Sequence, residues 1–116
     1  DIEWSQKGVY YVADCWVNGS ELDVWFDANA NWIMTEMEIF REQLPAAVNT
    51  AYEESGYGDW VIDNLTKLTF PHKSEEFVFE VQRGAQERAL YYSAYGGLLL
   101  EKDITDADDT HWPDVE

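Results

Sequence analysis

One cysteine, Cys15, in a chain of 116 residues rules out an internal disulfide. With it come only two histidines, His72 and His111, too far apart in sequence to complete a zinc-ligand set. On the strand that carries it, Cys15 alternates with Ala13 and Val17, the pattern of a small buried hydrophobe rather than a reactive thiol. Basic residues are scarce as well: 7 Lys and Arg stand against 24 Asp and Glu, a net charge of −17. Such a field repels phosphate backbones and anionic lipid surfaces, so nucleic acid is not an expected partner. No apolar run approaches the ~20 residues that a membrane-spanning helix needs, and no membrane insertion is expected. Serines offer little to catalysis. Ser20, Ser55, Ser74 and Ser93 fall in turn or loop sequence, and no G-x-S-x-G elbow occurs, so no enzyme and no catalytic residue is expected.

What is present is apolar and aromatic. Hydrophobic residues make up 46% and aromatics 16% of the chain, which is too much for a disordered segment and enough for one domain with its own core. The organising stretch runs from Val9 to Glu36. Asn18-Gly19 is the pair that accepts positive φ at both centres of a type I′ turn, so it predicts a hairpin with Val17 facing Ser20. Counting outward by twos puts Ala13, Cys15, Val17, Ser20, Leu22, Val24 and Phe26 on one face, the expected core. Tyr10, Val12, Asp14, Trp16, Glu21, Asp23, Trp25 and Asp27 fall on the other. Ala28-Asn29-Ala30 reads as a three-residue second turn, with Asn29 or its neighbour left-handed. That register sets Trp32 and Met34 beside Phe26, with Ile33, Thr35 and Met37 on the outer face.

Upstream, Ile2 and Trp4 alternate toward a turn at Lys7-Gly8, as in the end of a strand. Downstream, Pro45 suits a first helical turn, and Leu44, Val48, Ala51 and Tyr52 recur at helical spacing until Gly56 and Gly58. They predict one amphipathic helix of about three turns, from Pro45 to Ser55. Strand runs return from Asp59 to Phe70, at Phe77 to Val81, at Leu90 to Tyr92 and at Leu98 to Leu100, separated by turns at Pro71-His72-Lys73, Arg83-Gly84 and Ala94-Tyr95-Gly96. The stretch RGAQERALYYSAYGGLLLEK echoes NGSELDVWFDANANWIMTE, with Phe26 answered by Tyr92 and Trp32 by Leu98. The expected class is therefore α+β, one domain over residues 1–116. Two tandem four-stranded antiparallel units are joined by one amphipathic helix packed on one sheet face. The first copy, 1–40, lacks a helix. The second, 41–104, has a helix and four strands, and 105–116 is an acidic tail whose Trp112 is expected to dock. A segment upstream of Asp1, the single helix, the tail or a second chain is expected to cover the first copy's core face.

The motifs LPAAV at Leu44 to Val48, YYVADCWVNGSELDVWFDANANW at Tyr10 to Trp32, and FVFEVQRGAQERALYYSAYGGLLLEK at Phe77 to Lys102 give the chain its resemblance. It resembles the PepSY-like family of bacterial periplasmic proteins, whose fold is similar to that of the beta-lactamase inhibitory protein. The resemblance covers all but the tail. It implies a periplasmic location, with a leader removed ahead of Asp1, helices on one face of an antiparallel sheet, and no catalytic residues to carry over. One departure is Ala30, where a family hairpin usually has Gly.

Two candidate sites follow from the residues. Tyr10, Trp16, Trp25 and Ile33 lie among Asp14 and Asp23 on the outer face, an arrangement expected to meet a protein partner with aromatic-sized pockets and a basic rim. Asp27, Asn29, Asn31 and Glu38 stand at positions one, three, five and twelve of a calcium-loop spacing. Trp32 occupies the sixth position, where that loop needs Gly, so any calcium there, or at Asp106, Asp108 and Asp109, is expected to bind weakly. No other cofactor is expected.

Overall fold

A computed structural model describes residues 1–106. Eight strands follow one another as neighbours in a single antiparallel sheet: β1 (Glu3–Lys7), β2 (Tyr10–Val17), β3 (Ser20–Phe26), β4 (Trp32–Glu38), β5 (Val61–Thr69), β6 (Glu76–Arg83), β7 (Gln86–Ser93) and β8 (Leu98–Asp103). One helix, α1 (Ala46–Glu53), lies between β4 and β5 in the chain. The α+β class holds. The two expected units are not separate sheets, because β4 pairs with β5 from Thr35↔Thr69 to Glu38↔Thr66 and makes the sheet continuous. The expected three-turn helix is also shorter, at eight residues. Pro45, at φ −58° and ψ 144°, stays outside it, and a 3-10 turn at Arg41–Gln43 takes up the preceding chain.

Each hairpin follows from its turn chemistry. Asn18 and Gly19 have φ of 52° and 82° and close the β2–β3 hairpin with Val17 opposite Ser20. At the next turn Ala30 is the left-handed residue, with φ 67°. Asp27 stabilises that turn: its Oδ1 accepts the backbone N–H groups of Asn29 and Asn31, each at 2.9 Å, and its Oδ2 accepts Asn31 Nδ2 at 3.1 Å. A β-bulge then breaks the simple alternation. Phe26 faces Trp32 while Trp25 faces Met34, so Ile33 is an extra residue and the rest of β4 changes face relative to β3. The same device recurs in β7–β8, where Tyr92 faces Leu98 and Tyr91 faces Leu100.

Both faces of the sheet are apolar. On one, α1 lays Val48 and Tyr52, both buried, against Leu65, Phe79, Val81, Leu90 and Tyr92. The Tyr52 and Phe79 rings stack at 4.2 Å with 6° between their planes. A helix of eight residues is marginal by itself, so this packing is what keeps it folded. The close fit extends to Gly96: a Cβ there would stand 2.7 Å from the Ala47 carbonyl oxygen, so only glycine lets the β7–β8 turn approach the helix.

The opposite face holds a continuous buried cluster of Val12, Trp25, Met34, Leu68, Val78, Ala89, Tyr91 and Ile104. No helix lies over it among the described residues. Its large side chains pack on one another and on the half-buried Tyr10, Ile33 and Phe70. This overturns the expected facing of the first hairpin. Trp25, assigned to the outer surface, is 2% exposed, whereas Phe26, assigned to the core, is half-buried. The expected core face of β1–β4 is the open one, with Trp4 62%, Tyr11 43% and Val17 49% exposed. Cys15 is half-buried there.

Candidate functional site

The six residues expected to meet a partner divide in the structure. Trp25 leaves the surface: Tyr10 packs edge-on against it at 5.8 Å, and its Nε1 donates to Glu36 Oε1 at 2.7 Å. Tyr10 and Ile33 are half-buried against the same cluster. They form part of the core, not a contact surface. Trp16 stays outside, 65% exposed. Asp14 and Asp23 come together with Glu21, already expected on the same face, and the structure adds Glu36 and Glu38.

The added groups are set by register. Asp14 faces Asp23 across β2–β3, and Asp23 faces Glu36 across β3–β4. Glu21, two residues before Asp23, shares its face, and carboxylate oxygens of Asp14, Glu21 and Asp23 all lie within 4.8 Å of one another. Glu21, Asp23, Glu36 and Glu38, with Asn64 and Thr66, line a cleft of about 90 Å³, so among the described residues every charged one in its lining is acidic. Like charges set opposite each other on a sheet destabilise it. Asp14 Oδ1 is buried and has no hydrogen-bond partner.

The crowding shows in the titration of the cluster. Burial first, then the charges of Asp14, Glu36 and Glu21, push the Asp23 carboxyl from its ordinary 3.8 up to about 6, with Lys7 pulling the other way. Glu21 is raised by burial and next by Asp14. A carboxyl whose pKa is higher in the folded chain than in the unfolded one binds its proton more tightly when folded. Stability therefore rises as pH falls through about 6 toward 3.8, and above about 6 the full cost of the ionised cluster is present. Melting temperature should increase between pH ~7.5 and pH ~5. Asp23→Asn should raise it at the upper pH and flatten the slope. A wild-type slope left intact in that variant would show that the proton goes elsewhere.

The proposed calcium loop is otherwise employed. Asp27 accepts three hydrogen bonds from its own turn, and these lower its pKa below the usual carboxylate range. The spacing that resembles a calcium loop is the spacing of a capped hairpin. Asp106 is exposed, with φ 66°, while Asp108, Asp109 and Trp112, the residue expected to dock, lie outside the described residues. Among the described residues, the carboxylates close enough together to share a cation are Asp14, Glu21 and Asp23.

A family model matches residues 9–100, and the chain belongs to that family, the PepSY-like proteins, provisionally described as beta-lactamase-inhibitor-like. The chain is similar to three solved structures from Bacteroides. A BLIP-like protein from Bacteroides fragilis is 56% identical, with a TM-score of 0.89 over 97% of this chain and 80% of that one. A protein from Bacteroides eggerthii whose description assigns it, provisionally, to the periplasm is 32% identical, with a TM-score of 0.88 over 91% and 78%. A DUF2874 family protein from Bacteroides ovatus is 30% identical, with a TM-score of 0.93 over 97% and 82%. No curated protein matches the chain. Among the described residues no helix is long and apolar enough to cross a membrane.

Proposed function

We propose that the chain is a non-enzymatic binding module of the bacterial periplasm that presents the acidic end of its sheet, with Trp16 at the rim, to a basic patch on a protein partner. The observation that carries this reading is the cleft on β3–β5 whose charged lining is entirely acidic. Its carboxylates repel one another in the free chain, and lysine or arginine side chains from a partner would relieve that repulsion. Exposed Trp16 supplies an aromatic anchor of the kind that interfaces favour. The B. eggerthii relative's description supports the location, and the B. fragilis relative's BLIP-like description supports a binding role. The test uses three baits against periplasmic extract: the chain, its Asp14→Asn/Asp23→Asn variant and its Trp16→Ala variant. A partner held by the unaltered chain should be lost from both variants while both remain folded. Equal capture by all three would contradict the reading.

A second reading rests on the three carboxylates within 4.8 Å of one another. Calcium takes oxygen ligands at about 2.3–2.6 Å, so oxygens that close can share one ion. Calcium should then raise the melting temperature of the unaltered chain by mass action and leave the Asp14→Asn/Asp23→Asn variant unmoved. A flat titration removes this reading without touching the first.

A further inference from the structure

Another cleft, among the described residues, lies on the helix-covered face, away from the acidic cluster, between the C-terminal end of α1 and the β7–β8 hairpin. Its volume is about 310 Å³, the lower end of the range of small-molecule sites. Leu90 and Tyr92, 1% and 2% exposed, contribute to its lining from β7, and Ala51 does so from the helix. Leu98, 54% exposed, adds an apolar lip. The contact at Gly96 brings the turn against α1, so the walls are held by close packing rather than by loops alone.

The polar groups are few and connected. Tyr57 donates its hydroxyl to Glu101 Oε2 at 2.6 Å across the cleft. Ser55 anchors the end of the helix, donating to the Tyr52 carbonyl at 2.6 Å and accepting the Tyr57 N–H at 3.1 Å. Glu54 and Glu101 are the lining residues that carry charge, and both are acidic. Arg88, which acts on Tyr57 from β7, is paired with Asp103 at 3.2 Å. The phenol fixes one oxygen of Glu101 in place, and a carboxylate so held still has acceptor capacity to spare.

We propose that this cleft is a binding site for a small organic cation, an amine carried on an apolar body. The body would lie against Leu98, Ala51 and Tyr57, over the floor that Leu90 and Tyr92 close, and the ammonium would meet Glu101. An anion would be repelled by both carboxylates. A neutral isostere would forgo the charge-assisted bond. Ligand binding at this face is independent of the acidic cleft, and either can fail without the other.

The experiment is an NMR titration of the isotope-labelled chain with benzylamine, using benzyl alcohol and benzoate as neutral and anionic isosteres. Benzylamine should shift the amide signals of Ser55, Tyr92, Gly96 and Leu98, and the isosteres should do so far less. Glu101→Gln keeps an acceptor for Tyr57 and removes the charge, and at this exposed position it should weaken benzylamine about 5- to 10-fold, the net worth of one ordinary hydrogen bond. Leu98→Trp, at an exposed position, should block the mouth and abolish the shifts in a chain whose other signals stay in place. Benzoate or benzyl alcohol binding as tightly as the amine would overturn the proposal. So would shifts gathered at Asp14 and Asp23 instead, or no shifts at tens of millimolar amine.

Discussion

Trp25→Ala should cost about 3–5 kcal/mol of folding free energy, the range for truncating a buried tryptophan. The side chain is 2% exposed between Val12 and Met34, and Tyr10 meets its ring at 5.8 Å. Truncation would also take the Nε1 donor from Glu36, which stands opposite Asp23 in a crowd of carboxylates. Losing that charge-assisted bond adds to the cost. Phe26→Ala makes the natural control. Phe26 is half-buried on the opposite face, with Trp4 at 5.8 Å, and its truncation should cost about 1–2 kcal/mol, less than a fully buried site. Denaturant unfolding of the two variants would show the order. If Phe26→Ala were the more damaging, the wrong face of the first hairpin would have been placed inside.

Phe79→Ala should cost a similar amount, about 3–5 kcal/mol, and should also release the helix. Phe79 is fully buried, stacks on Tyr52 at 4.2 Å and meets Tyr92 edge-on at 5.6 Å. Since α1 has eight residues and no side-chain cap, this stack and the buried Val48 are its main hold on the sheet, with the Gly96 turn and Ser55 bracing its ends. Amide hydrogen exchange from Val48 to Tyr52 should accelerate in Phe79→Ala by more than the global loss of stability accounts for. Tyr52→Phe keeps the ring stack, loses the bond from its hydroxyl to the Tyr57 carbonyl, and should cost about 1 kcal/mol with the helix still protected. Unchanged exchange in Phe79→Ala would mean that α1 depends on other contacts.

The first hairpin shows what the sequence can and cannot reveal. Asn18-Gly19 fixed its register, because the pair is the natural occupant of two positive φ angles, and that register already set Asp14 opposite Asp23. The facing did not follow. Alternation separates two faces but does not say which is inner, and this sheet buries apolar side chains on both. Tryptophans interleaved with aspartates resemble a wet aromatic surface, yet Trp25 is carried inward and Trp16, on the same face of the hairpin, is left out. The acidic cleft was hidden for a different reason. Without a bulge, Thr35 would face Asp23. The extra residue at Ile33 brings Glu36 there instead, and with it Glu38 onto the same face. A bulge of this kind depends on sheet twist and has no dipeptide signature in Trp32-Ile33-Met34. The helix was placed correctly by its apolar stripe but overestimated in length. Pro45 and the residues after Glu53 belong to the connections that seat it on the sheet.

The most direct measurement of the proposed binding surface is zero-length cross-linking of carboxylates to the lysines of a partner captured from periplasmic extract, with the joined residues read by mass spectrometry. If β2–β4 present the contact, cross-links should concentrate at Asp14, Glu21, Asp23, Glu36 and Glu38, and Trp16→Ala should reduce their yield. Cross-links distributed over Glu42, Glu53, Glu54 and Asp59 on the helix side, with the β2–β4 carboxylates unmodified, would contradict it.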